Sequence, residues 1–198
     1  MANNQLKALK QTNNMKGIFS ITTLLTLASA LVSAAPLTQR GLSLPATNLF
    51  VITNPAPATI LTPYGTSNAV ISITDGSNEI DTIVSFNIPG LPPPSSASTC
   101  QFVIQNIPPP TGSGIVQLFT LGAEVTSPLT SVPFYNLYEG QYDVNTNPST
   151  PIDVQFVPCN FDANGVLDMQ FVVRPQNTDD YITWWQSPTV GAFIDYTP

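Results

Sequence analysis

Histidine is absent from this chain, and basic residues nearly so: five Lys and Arg stand against twelve Asp and Glu. Without imidazole, the Ser–His and Cys–His pairs that activate a nucleophile cannot be built, and most zinc centres lose a ligand. The glycine-rich fingerprints of nucleotide sites are missing, as is a Gly-x-Ser-x-Gly nucleophile turn. Charged residues make up only 9 % of the sequence, but 42 % is hydrophobic, an ordinary globular share that argues against disorder. Outside residues 17–32 no window holds a helical period.

The few basic residues are unevenly placed. Lys7, Lys10 and Lys16 precede the uncharged run Gly17–Val32, and Val32-Ser33-Ala34 supplies small or apolar residues at a cleavage point. That order is a secretory signal pattern, and the run is short of the roughly 20 residues of a membrane span. Residues 1–34 are expected to be a signal peptide, residues 35–46 an N-terminal arm and residues 47–198 the folded domain. Cleavage leaves Arg40 and Arg174 against twelve acidic groups, a net charge of −10. Such a surface cannot neutralise phosphates, so neither nucleic acid nor an anionic membrane is an expected partner. The expected location is extracellular, with cell-wall association as one form of it.

Two cysteines in a secreted chain point to one disulfide, Cys100–Cys159, with two buried free thiols as the alternative. Closing a loop of about 60 residues would stabilise by roughly 4 kcal/mol in chain-entropy terms.

The rest reads as short strands separated by proline and glycine. Apolar or alternating runs occur at Asn48–Thr53, Ala58–Leu61, Ala69–Thr74, Ile80–Ile88, Cys100–Gln105 and Ile115–Leu121, then at Ile152–Phe156, Val166–Arg174, Tyr181–Gln186 and Ala192–Tyr196. Asp75-Gly76 marks a tight hairpin between the third and fourth runs, and the last two runs are expected to pair as a closing hairpin. The aromatic stretch Phe134–Tyr142 is expected to cover an edge or a sandwich end. The fold class is therefore all-β: a two-sheet antiparallel β-sandwich of about nine or ten strands with one disulfide, or alternatively an eight-stranded barrel.

Five stretches carry a further likeness. VSFNIPGLPP, STCQFVIQNIPPP and TGSGIVQLFTLG follow one another between Val84 and Gly122, and FVPCNF and DDYITWWQSPTVGAFIDY follow later. Their order resembles the fungal "But-two" (Uba-three-binding protein) C-terminal domain family, over roughly Leu49 to Tyr196. The resemblance implies a secreted or cell-surface β-sandwich, with Cys100 and Cys159 as the family's disulfide and Trp184 as its strand tryptophan. Trp185 is an extra aromatic, and the C-terminus lacks the cysteine that some members carry. The activating enzyme in the family's name is cytosolic, so that partner does not transfer to a secreted chain.

Few stretches carry chemistry. Gly112-Ser113-Gly114 follows a proline run and opens a strand, whereas a phosphate cradle wants a helix there. Asp162, Asn164 and Asp168 have a partial calcium-loop spacing without the closing Glu, and Asn164-Gly165 is also a strong hairpin signal. Tyr181 and Trp185 share one face of a strand and could stack on sugar rings, unless both faces of that strand are covered. Paired carboxylates such as Glu139 and Asp153 would be needed for glycoside hydrolysis, but the acidic residues read as turn and solvated-face positions. The expected function is non-enzymatic surface binding or structural association in a fungal wall, matrix or host interface, without a cofactor. The partner is an extracellular protein or polysaccharide. A carbohydrate-binding protein, with or without calcium, is the alternative, and a wall-active glycoside hydrolase the less favoured one.

Overall fold

The computed structural model describes residues 41–54, 58–154 and 157–198. The signal, most of the arm with Arg40, and Phe156 lie outside the described residues. Eleven strands form, and there is no helix among the described residues. They are β1 Leu42–Pro45, β2 Asn48–Asn54, β3 Asn68–Thr74, β4 Asn78–Ile88, β5 Thr99–Gln105, β6 Ile115–Leu121, β7 Tyr135–Asp143, β8 Thr150–Val154, β9 Leu167–Pro175, β10 Tyr181–Trp185 and β11 Gly191–Thr197. The smaller sheet has the order β1-β11-β5; the larger runs β10-β3-β4-β9-β6-β7-β8, with β2 along β4. All pairs are antiparallel, and the sheets stay separate, so the fold is the sandwich and not the barrel.

Three sequence expectations change. Leu42–Pro45, assigned to the arm, is a strand that pairs with β11 from Leu42↔Tyr196 to Pro45↔Phe193. Phe134–Tyr142 supplies a full strand, β7, between β6 and β8. The closing hairpin does not exist: β10 joins β3 in the larger sheet, and β11 crosses to β5 in the smaller one. β11 is the central strand there, and Ala192, Phe193 and Ile194 are buried in succession instead of alternating, so both of its faces are covered at these positions.

The Asp75-Gly76 turn takes positive φ at both residues, 51° and 66°, as a type I′ hairpin requires. Its strands pair only from Thr74↔Asn78 to Ser72↔Ile80. Beyond that, β9 takes over the partnership with β4, from Thr82↔Val173 to Ile88↔Leu167. The fork is held by buried Thr82, whose hydroxyl donates to Val70 O at 2.7 Å and accepts from Val70 N at 3.1 Å. A side chain thus replaces a ladder rung where the backbone partner has left.

The main core lies between the sheets. Phe86, Phe102 and Phe171 meet edge to face with centroids 5.8–6.5 Å apart, a favoured aromatic geometry. The Cys100–Cys159 disulfide forms, with a Cα–Cα distance of 5.2 Å and Cys100 facing this core. A second, smaller core covers the opposite face of the larger sheet. Val125 and Leu129, from the irregular stretch between β6 and β7, pack there on Phe50, Ile52, Ile83 and Val172. β4 is consequently buried on both faces.

Candidate functional site

β10 is an edge strand held at both ends. Five rungs tie it to β3, from Tyr181↔Ser72 to Trp185↔Asn68, and the Thr183 hydroxyl donates to Ala69 O at 2.8 Å. Tyr181 N and O also pair with Thr111, at 3.1 and 3.0 Å. Ile182 and Trp184 point into the core. The Trp184 indole N–H donates to Gln186 Oε1 at 3.0 Å, and the Gln186 amide closes on both the N–H and the carbonyl of Ala192. A Cβ on Gly191, whose φ is +115°, would sit 2.7 Å from the Trp184 ring, so only glycine fits beside the indole. The opposite face of β10 is open: Tyr181 is 50 % and Trp185 66 % exposed. Four residues of strand put their attachment points roughly 13 Å apart. This is a fixed pair of neutral π faces, of the kind that packs on the C–H faces of sugar rings.

Asp162 and Asn164 sit on an exposed turn. Asp162 Oδ1 accepts from the N–H groups of Asn164 and Val166, each at 2.8 Å, and these bonds hold its carboxyl below the usual carboxylate range. The carboxylate thus organises the Asn-Gly hairpin that leads into β9. Asp168 lies beyond that turn and lines a separate cleft, which Asp162 and Asn164 do not line.

The Gly112-Ser113-Gly114 turn does hold an anion, but one of the protein's own. Asp180, 1 % exposed, accepts from the Ser113 N–H, from the Ser113 hydroxyl at 2.8 Å and from Asn177 N at 3.3 Å. A Cβ at Gly112, φ +84°, would lie 2.3 Å from Asp180 Oδ1. The glycine is there to let the turn close on this carboxylate.

Two acidic groupings were unexpected. On the outer face of the larger sheet, fully buried Asp81 accepts from the Tyr135 hydroxyl, and Asn54 Nδ2 lies 3.5 Å from the same carboxylate. Glu79 pairs with Arg174 at 2.7 Å, and the guanidinium also lies 5.8 Å from the ring centres of Phe119 and Tyr135. Burial pushes the Asp81 carboxyl up to about 8, outweighing the Tyr135 hydrogen bond; the neighbouring Glu79 raises it further. Tyr135 is pushed above its ordinary 10 by burial and by Asp81, so it stays a hydroxyl donor.

The second grouping lines a cleft of about 410 Å³ beside β9. β6 shifts register twice against β7, between Leu118 and Phe119 and again before Leu121, and its pairing with β9 ends at Thr120↔Phe171. The gap closes again at the Phe161↔Leu167 bridge, where Asp168 N donates to Asn160 O at 2.9 Å. Met169, Phe171 and Val157 contribute apolar wall, and Glu124, Glu139 and Asp168 contribute carboxylates. Glu139 is only 6 % exposed and has no hydrogen-bond or ion-pair partner among the described residues; burial raises its carboxyl above the usual range. Asp153, its notional partner for hydrolysis, lies on β8 and does not line the cleft.

The expectation that the acidic residues are solvated is thus wrong for Glu79, Asp81, Glu139 and Asp180, all buried. Glu79 and Asp81 do share one face of β4, but the partners that meet them there, Tyr135 and Arg174, come from distant strands. No protein-family model matches the sequence, and no curated protein matches it either.

Proposed function

We propose that the domain is a non-enzymatic binding module that works outside the cell, in a fungal wall, a matrix or a host interface, and that its contact surface for polysaccharide is the outward face of β10. One observation carries this reading: Tyr181 and Trp185 stay half to two-thirds exposed on a strand whose inner face is buried in the core and whose backbone is laddered to β3. Exposed large aromatics lose apolar hydration when a ring stacks on them, and the rigid strand loses little entropy on binding. The disulfide, the acidic sequence and a motif order that resembles the But-two domains support the extracellular setting.

Retention on insoluble chitin, β-glucan and cellulose tests the reading. The intact protein should be retained on at least one of them, and Trp185→Ala should release it. Retention unchanged in Trp185→Ala and Tyr181→Ala would remove the β10 face from the binding surface. Release of reducing sugar from any of these polymers would count against the non-enzymatic part.

A further inference from the structure

We propose that the cleft beside β9 is a second ligand site, which takes an alkylammonium group with Glu139 as its counter-ion. A buried carboxylate needs a cation, hydrogen-bond donors or its own proton. Among the described residues Arg174 is the only basic side chain, and it is already 2.7 Å from Glu79. The cleft wall contains no Lys or Arg, so no described residue offers Glu139 a counter-charge. Tyr142, fully buried, is pushed up to about 12 by burial and further by the Glu139 charge, and its hydroxyl has no partner among the described residues.

The cleft's other features select among cations. No three Asp, Glu or Cys side chains among the described residues are placed to hold one metal ion. The carboxylates are therefore spread around a cleft instead of converging on a point, which suits an extended organic cation. Glu124, exposed at the rim, and half-buried Asp168 give the approach a negative field. Met169, Phe171 and Val157 offer apolar contact to methylene groups or to the C–H face of a sugar ring. The Gln170 amide is occupied by Val125, accepting from its N–H at 2.6 Å and donating to its carbonyl at 2.9 Å, so this wall is preorganised. The ammonium group has two natural sources, an aliphatic polyamine and an amino sugar.

Calorimetry on the full chain with spermidine, with a glucosamine trimer and with its N-acetylated counterpart separates them. Binding of spermidine alone identifies a polyamine site, binding of the trimer alone an amino-sugar site, and binding of both shows that the ammonium group suffices. The N-acetylated trimer keeps the rings but loses the charge, and should bind at least about tenfold more weakly than the amine. Glu139→Gln should weaken amine binding by at least about tenfold, and Asp168→Asn, at a less buried position, by a smaller factor. Should Glu139→Gln fail to fold, the carboxyl carbon resonance of Glu139 in the unaltered protein reads the same contact: bound amine should lower its titration midpoint. Trp185→Ala should leave amine binding intact, so this site and the β10 surface fail independently. The proposal is overturned if neither amine binds, if the acetylated trimer binds as well as the amine, or if the Glu139 titration is unmoved by a saturating amine.

Discussion

Asp81 gives the fold an inverted pH dependence that can be measured. Its carboxyl is fully buried and is raised from 3.8 to about 8. In the unfolded chain the group ionises near the ordinary value, while in the folded one it keeps its proton. Between those limits the unfolded state binds fewer protons, so folding stability falls as pH rises, by as much as about 1.4 kcal/mol per pH unit. The stabilisation is complete below the unfolded value and is lost as pH passes through about 8. From pH 5 to 8 the loss amounts to at most about 4 kcal/mol, a large share of a typical folding free energy. Glu139, also raised, acts in the same direction, whereas Asp162, lowered, acts only below the ordinary carboxylate range and stays outside this window. Urea unfolding followed by tryptophan fluorescence from pH 5 to 8 gives the slope directly. Asp81→Asn is the control. Its amide oxygen still accepts from Tyr135, and the amide does not titrate. The variant should flatten the profile and be more stable than the unaltered protein at pH 8. A stability that is flat or rising from pH 5 to 8 in the unaltered protein, or an equal slope in Asp81→Asn, would refute the reasoning.

Other perturbations follow from the same geometry. Asp180→Ala removes the acceptor for three donors at the Gly-Ser-Gly turn and should cost about 3 kcal/mol, seen calorimetrically as a melting point lower by roughly 10 °C. Replacing Cys100 and Cys159 together by serine should cost about 4 kcal/mol in denaturant unfolding, with the largest change in hydrogen exchange where β5 meets the β8–β9 connection. Gly191→Ala forces a Cβ against the Trp184 ring and should raise the exposure of that indole to fluorescence quenchers. Millimolar calcium should leave the melting temperature unchanged, because Asp162 already accepts the N–H groups of its own turn; a rise that Asp162→Ala abolishes would restore the calcium loop.

What sequence reveals here follows the range over which each feature is decided. The alternation of Leu167, Met169, Phe171 and Val173 is a local property, and β9 was legible from it. Ile182 and Trp184 against Tyr181 and Trp185 were equally legible as two faces of one strand. Which face stays wet was not, because a cover depends on a distant segment: Val125 and Leu129 reach β2, β4 and β9, while Tyr181 and Trp185 remain open. Asp81 too meets a distant residue, Tyr135 on β7, so its pH behaviour is invisible to any reading of strand periodicity. The crossing from β10 to β11 was misread because a short link between two apolar runs looks the same whether the second run pairs back or changes sheet. The unbroken apolar run Ala192-Phe193-Ile194 was the available signal, since it marks a strand covered on both faces and an outer hairpin arm keeps one polar face. The cleft is the least legible element of all. It lies where the β6–β9 ladder stops at Thr120↔Phe171, beside two register shifts between β6 and β7, and nothing in IVQLFTL announces a shift. Glu139 owes its isolation to that gap. Closing it, by a substitution that restored β6–β9 pairing beyond Thr120, should abolish amine binding while leaving the β10 surface untouched. That outcome would tie the second site to the sheet defect and not to the acidity of the chain as a whole.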